Sequence, residues 1–304
     1  MNEKDYIAVG FSDLHLTLQP PQCRQEENWL AVQRGYLQQV KELAGKKPIL
    51  FAGDLFDRWN PSPELIEFAL RELPDGMYCV PGQHDLPNHA MELMHKSGYG
   101  VLKAADKIKD ISGRVEFLHH IFAVEGCGWG QVAKGIGSPY KDHVRVLVAH
   151  RYIWDIKANA FPGVDETSRV GAYRDELISF NAALWGDNHR GFKTRSGNCS
   201  VLNNGTLIRR KADELKYRPH VGLLTKDGEW MIHELDTSAD QFKPEADIRP
   251  EIPFNLRDLV EALNAMDGTL FDFREAVEQH LRSADVNKLT KETVLEAMQD
   301  GEID

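Results

Sequence analysis

Apolar residues fall in two rhythms along the first half of the chain. Short continuous runs, Tyr6 to Ser12 (YIAVGFS), Pro48 to Ala52 (PILFA) and Met77 to Val80 (MYCV), read as buried strands. Between the first two, Trp29, Val32, Tyr36, Val40 and Leu43 recur every three or four positions, which predicts a helix with one apolar face and Gly45 as its stop. Ser62-Pro63-Glu64 predicts an N-cap followed by proline at the first helical position. A further helix is predicted after Pro87, through Met91 and Met94. Strands alternating with amphipathic helices are the mark of an α/β domain.

From Ile121 the spacing tightens. Strands are predicted at 121–126, 144–149, 183–186, 200–203, 221–225 and 230–235, with residues 135–139 a Gly/Ser/Pro loop. Residues 237–253 are polar and hold Pro244, Pro250 and Pro253, so they read as a linker. Beyond it, Leu256, Leu259, Val260 and Leu263, then Leu270, Phe273, Val277 and Leu281, then Val294, Leu295 and Met298 predict a small helical unit. The expected division is a main domain over residues 1–236 and a linker with a helical cap over 237–304.

Composition adds little until charge is considered. No apolar run approaches the roughly 20 residues of a membrane span, and the polar start Met1-Asn2-Glu3-Lys4-Asp5 has no signal-peptide core, so the expected location is the cytoplasm. Cys23, Cys79, Cys127 and Cys199 form no CxxC pair and read as buried free thiols. The net charge of −11, from 47 acidic against 36 basic residues, weighs against gripping nucleic acid by bulk charge alone. The clearest basic cluster is Arg209-Arg210-Lys211 with Lys216 and Arg218: either a solvated hairpin or a phosphate-backbone contact.

Chemistry gathers at the strand ends. Asp13-Leu14-His15 follows the first strand, Gly53-Asp54-Leu55-Phe56-Asp57 the second, and Gly82-Gln83-His84-Asp85 the third. His150 ends the strand at 144–149, and Gly186-Asp187-Asn188-His189 follows that at 183–186. Carboxyl ends of strands in an open α/β sheet face one crevice, so five separate segments should converge there. The glycines before Asp54, Gln83 and Asp187 permit sharp turns and close backbone approach. Each motif alone is ordinary turn or capping chemistry; their joint occurrence after successive strands is not. Oxygen and imidazole donors without thiolates suit manganese, magnesium or iron more than structural zinc. His89, His119 and His120 read as surface or structural histidines, and Arg58 and Trp59 as packing or substrate contacts.

The order DLH, GDLFD, GQHD, AH, GDNH resembles the calcineurin-like metallophosphoesterase superfamily. FAGDLFDRWNPSP, and NNGTLIRRKADELKYRPHVGLL at 203–224, resemble the SbcD-type DNA repair exonuclease subunits within it. The resemblance spans roughly residues 7–235. It implies a β-sandwich flanked by helices, a four-layer αββα arrangement, with the helical cap appended. It implies two divalent metal ions, most simply Mn²⁺ with Mg²⁺ the alternative: Asp13, His15 and His189 on one, Asp54 bridging, and Gln83, His150 and Asp187 on the other. His84 would face the scissile phosphate and stabilise or protonate the leaving oxygen, Asp85 would orient the His84 imidazole, and Asp57 would support from behind. Arg209 and Arg210 are the expected substrate contacts. The implied activity is phosphodiester hydrolysis in DNA by the nuclease subunit of an SbcCD-type repair and recombination complex, with a coiled-coil ATPase as partner, docked on the C-terminal helices, and a homodimer as the usual assembly. Two positions depart from the family: Gln83 stands where Asn is usual, and Asp187 where the first His of GHxH is usual. An anion at 187 makes the second site harder and more negative, which favours manganese or magnesium. Alternative readings are a phosphatase or cyclic-nucleotide phosphodiesterase on the same fold, which the acidic net charge favours, and a non-catalytic scaffold with a degraded metal site.

Overall fold

The computed structural model describes residues 6–244, apart from 138, 139, 141, 212 and 213. The helical cap expected from Leu256 onward lies outside the described residues. Two six-stranded sheets carry the architecture. The first has the order β12-β11-β1-β2-β3-β4, with β1 at Tyr6–Phe11, β2 at Ile49–Ala52, β3 at Met77–Val80, β4 at Ile108–Asp110, β11 at His220–Thr225 and β12 at Trp230–Glu234. The second has the order β5-β6-β7-β8-β10-β9, with β5 at Val115–Leu118, β6 at Phe122–Cys127, β7 at Val144–His150, β8 at Ala182–Gly186, β9 at Phe192–Ser196 and β10 at Cys199–Asn203. Strands β1 to β4 run parallel, as do β6, β7, β8 and β10, so the carboxyl ends of each set open at one edge.

Alternation along the strands sorts side chains into three cores. Ala8, Leu50, Ala52 and Val80 meet Val146, Val148, Leu184, Leu202 and Trp230 between the sheets. Val9, Phe11 and Phe51 point the other way, against α1 (Trp29–Ala44) and α2 (Pro63–Glu72). Helix α1 buries Trp29, Gln33, Tyr36, Leu37, Val40 and Ala44, the face that its apolar spacing predicts. Asn28 caps it by accepting from the Ala31 amide, and Ser62 caps α2 from the Leu65 amide. The outer face of the second sheet, with Leu147, Ala149, Ala183 and Trp185, packs against Ile153, Val170, Leu177 and Phe180 from a long connection of three short 3₁₀ turns and a four-residue helix, α4 (Arg174–Leu177). The result is the expected sandwich of two sheets between helical layers.

Some local expectations change. The segment after Pro87 forms short 3₁₀ turns rather than a helix, because Asn88 and His89 adopt left-handed backbone (φ 52° and 57°) that no α-helix tolerates. Helix α3 (Gly98–Ala104) follows, capped by Ser97. It went unpredicted, as did β4, β5 and β9, which have little uninterrupted apolar sequence. All four cysteines are buried and free, and no described helix is long and apolar enough to cross a membrane.

Candidate metal centre

The loops after β1, β2, β3, β7 and β8 meet at the carboxyl edge of the sandwich. Their backbones interlock before any side chain is considered: the Asp13 amide donates to the Gly53 carbonyl (3.0 Å), and the His15 amide to the Asp54 carbonyl (3.0 Å). Asp13, His15, Asp54 and Asp187 all have positive φ (50°, 46°, 59° and 96°), a conformation that L-residues adopt at a cost. Two glycines make the close approach possible. A Cβ on Gly53 would lie 2.2 Å from His150 Nδ1, and one on Gly82 would lie 2.0 Å from Asp54 Oδ1.

Three groups of carboxylate and imidazole atoms result, each within ligating reach of one another: Asp13, His15 and His189; His15, Asp54 and His84; and Asp13, Asp54 and His150. Asp54 joins them. Its Oδ1 accepts the His84 amide (3.0 Å), while its Oδ2 lies 3.6 Å from His15 Nε2 and 3.4 Å from His150 Nε2. Asp54 Oδ2, His150 Nε2, His15 Nδ1 and Gln83 Oε1 are buried and have no hydrogen-bond partner. Such atoms are costly unless a charge or donor meets them.

The tautomers sharpen the case for a cation. His150 Nδ1 is 2.6 Å from the Ala52 carbonyl, which only accepts, so Nδ1 carries hydrogen and donates. In the neutral ring, the Nε2 lone pair then faces the Asp54 carboxylate. On the other side, His15 Nε2 and His189 Nε2 stand 3.1 Å apart, with Asp13 Oδ1 4.0 and 3.8 Å away. The far nitrogens of these rings face acids, His15 Nδ1 toward Asp57 (3.9 Å) and His189 Nδ1 toward Glu214 (3.7 Å). Both Nε2 atoms thus face each other and Asp13 across the pocket, with the acids behind the rings at distances longer than a hydrogen bond. The donor set therefore fits divalent cations, and the structure brings Asp13, His15, Asp54, His150 and His189 together for them.

Electrostatics point the same way. Burial pushes the Asp13 carboxyl up to about 6 and holds the His15 imidazole well below its ordinary range. For His150, burial opposes protonation, but Asp54 overrides it and raises the imidazole well above its usual range. The reciprocal attraction overcomes burial at Asp54 and holds that carboxyl below the usual carboxylate range. The pocket draws positive charge into itself.

The remaining predicted residues are placed less uniformly. Gln83 Nε2 donates to Asp187 Oδ1 (2.8 Å), leaving Gln83 Oε1 as the free acceptor. Asp187 enters none of the three groups formed by described residues. Its carboxylate faces the Gln83 amide, and its own amide donates to both Asp13 oxygens (3.0 and 3.2 Å). His84 is exposed, with Nδ1 2.7 Å from the Asp57 carbonyl.

Asp85 does not orient that imidazole, contrary to expectation. Its carboxylate is buried and accepts from the amides of Leu55, Phe56 and Gly82 (3.0, 3.1 and 3.0 Å), so it holds the Asp54 loop instead. Burial, then the nearby Asp54 charge, raises its carboxyl to about 7.

Arg209 is also corrected. It forms a two-pronged pair with Asp240 (3.0 and 2.7 Å), donates to the Leu215 carbonyl and stacks on Phe242, so its guanidinium is engaged within the fold and not turned to the metal-facing residues. Asp240, in the segment read as linker, also binds Arg24 (2.8 Å) and Tyr36 (2.8 Å). Arg210 does reach the centre, through Asp57 Oδ1 at 2.7 Å. Arg218 is solvated and paired with Glu234, in a connection that crosses from β10 of one sheet to β11 of the other and so is not the expected hairpin.

Sequence reasoning missed Glu214 and the Asp57 carbonyl. Glu214 lies beside His189, accepts from the Arg210 and Lys211 amides, and is held below the ordinary carboxylate range: burial, the largest influence, raises it, but His189 and the two amides together outweigh it. A lone Glu in a polar loop carries no local signal, and a main-chain carbonyl carries none at all.

Comparison with solved structures gives distant likenesses. The protein TT1561 from Thermus thermophilus has a TM-score of 0.45 at 13% identity over 76% of this chain and 99% of that one. A novel archaeal phosphodiesterase has a TM-score of 0.38 at 12% identity, over 75% and 99%. A putative 5′-nucleotidase from Staphylococcus aureus has a TM-score of 0.44 at 13% identity; the likeness covers 84% of this chain and 57% of the nucleotidase. No curated protein matches in sequence. The family model is decisive: residues 8–190, more than half of the chain and every metal-facing loop described above, match calcineurin-like phosphoesterase, and the chain belongs to that family.

Proposed function

We propose that this metallophosphoesterase is a two-metal DNA nuclease, the nuclease subunit of an SbcCD-type repair complex. The observation that carries hydrolysis is the shared Asp54 Oδ2, buried and unpaired between His15 and His150. Asp13, His15 and His189 would hold one ion and Asp54, His150 and Gln83 the other, with Asp54 common to both. Oxygen and imidazole donors without thiolates favour Mn²⁺, with Mg²⁺ as the alternative. When bound, the ions neutralise the phosphodiester and make water a competent nucleophile near neutral pH.

The rest of the reaction falls to this chain's residues. Because Nδ1 of His84 donates to the Asp57 carbonyl, the ring is held with Nε2 as its working nitrogen. Protonated, that nitrogen gives its proton to the leaving oxygen; such general acids contribute about 10²–10⁴-fold. Arg210, anchored on Asp57, would offer a guanidinium to the reacting phosphate.

DNA is preferred over small phosphoesters because of the 203–224 segment, whose SbcD-like sequence delivers Arg210 and Glu214 to the centre. An SbcC-type ATPase and a homodimer belong to the same reading. The net charge of −11 favours the second reading, a phosphatase or cyclic-nucleotide phosphodiesterase. End-labelled single- and double-stranded DNA with manganese separates the two. Cutting by wild type that is lost in His84→Ala supports the nuclease. Hydrolysis of a small chromogenic diester without DNA cutting, even with the ATPase present, favours the second reading.

A further inference from the structure

The Gly186-Asp187-Asn188-His189 run contains one residue that the metal centre leaves unused. Asn188 is fully buried, and its Nδ2 donates to the carbonyls of Ile153 (2.7 Å) and Asn159 (2.8 Å). Its Oδ1 accepts the Arg190 amide (3.0 Å). One side chain thus ties the loop bearing His189 to the loop over 153–161. The second loop is stiffened by its own contacts: the Phe161 amide donates to Tyr152 Oη (2.8 Å), and Asn159 Oδ1 accepts the amides of Asp155 and Ile156 (2.9 and 3.2 Å).

Between the two loops lies a cleft of about 560 Å³, within the roughly 300–1,000 Å³ of small-molecule sites. His189 and Glu214 form one wall, so it opens directly beside the metal-facing imidazole. The other walls are Ile156, Phe161, Phe192 and Tyr217. Ile156 is 56% exposed, an apolar side chain with no burial to justify it. Arg190 lies over the Phe161 ring at 4.9 Å, and exposed Lys211 lines the same cleft. An apolar, aromatic interior lined also by cations, next to a phosphate-reacting centre, complements a flat π-system attached to a phosphodiester.

We propose that this cleft receives an unpaired nucleobase of the strand whose phosphate occupies the metal centre. The inference rests on the phosphodiesterase reading and adds to it a single-stranded substrate end, read by base stacking on Phe161 and contact with Ile156.

The test is binding, in the full chain carrying His84→Ala so that strands stay intact, with manganese present. Fluorescence anisotropy compares a short thymidine oligonucleotide with an abasic strand of the same length. Stacking predicts roughly 5- to 100-fold tighter binding of the base-bearing strand. Adding Phe161→Ala or Ile156→Ala should bring that ratio toward one while leaving abasic affinity unchanged. Ile156 is half-exposed, so its variant tests the cleft even if Phe161→Ala fails to fold. A ratio of one before these substitutions, or a ratio that neither variant alters, overturns the proposal. DNA cleavage by the chain with His84 intact is read separately. Absent cleavage with a retained ratio rejects the nuclease and keeps the cleft; cleavage with a ratio of one rejects the cleft alone.

Discussion

The two halves of the metal centre solve the same problem by different means. On one side, His15 and His189 have acids behind their rings through tertiary contact, Asp57 at 3.9 Å and Glu214 at 3.7 Å, too far to hydrogen-bond. His189 remains 21% exposed. On the other, His150 is held by a main-chain carbonyl of the neighbouring sheet, Ala52, and Gln83 by Asp187, in a pocket where His150 is 1% exposed. The family's usual Asn and His are both absent from the second half, yet their replacements hydrogen-bond to each other. Asp187 takes the amide hydrogen and leaves Gln83 Oε1 as an oriented acceptor. Two departures that look separate in the sequence are, in three dimensions, one hydrogen-bonded pair.

The largest test removes what the halves share. Asp54→Ala should lower turnover by about 10³-fold or more, since metal Lewis acidity is worth several kcal/mol. It should also abolish the rise in Tm that manganese gives wild type; saturation at 100 times Kd stabilises by about 2.7 kcal/mol. An Asp54→Ala protein still stabilised like wild type would break the account of a common oxygen. His84→Ala comes next. Steady-state kinetics should show kcat falling by about 10²–10⁴-fold, while calorimetric titration still counts two ions, because the residue belongs to neither half.

The sharpest comparison concerns the hydrogen-bonded pair. Gln83→Ala and Asp187→Ala should each weaken one manganese site by about 10- to 100-fold and leave the other unchanged. Their combination should cost little more than either alone, the mark of residues acting together. Additive losses would show independent roles and return Asp187 to direct ligation. If the harder second half selects the ion, manganese or magnesium supports faster turnover than zinc, and a zinc optimum in wild type would refute that preference. The smallest effects separate two neighbouring arginines. Arg209→Ala strips a partner from Asp240 and should lower unfolding free energy by about 2 kcal/mol with kcat preserved. Arg210→Ala should spare stability and reduce kcat/KM, as measured by denaturant melts and kinetics on the same samples.

Much of this site is legible in the chain because each chemical residue follows a strand, and strand ends are set locally by apolar runs and the glycines behind them. Asp13, His15, Asp54, His84, His150 and His189 are all found by that rule. The order of the motifs was enough to name the family. Errors arose where a side chain's partner is distant in sequence. The resemblance implied that Asp85 serves His84, but the amides of Leu55, Phe56 and Gly82 capture its carboxylate. Arg209 and Arg210 look equivalent in sequence, yet Asp240 takes one and Asp57 the other. The helix expected after Pro87 failed for a backbone reason, the left-handed Asn88 and His89.

By itself the sequence determined the α/β alternation, the residues at the strand ends and the donor chemistry, since these depend on periodicity and residue type within a few positions. Only the tertiary structure decided which nitrogen of each imidazole turns inward, which carboxylates support rather than bind, and that Gln83 and Asp187 form a pair. Those choices rest on hydrogen bonds between loops 30 to more than 100 residues apart, and no local pattern in the chain encodes a partner at that separation.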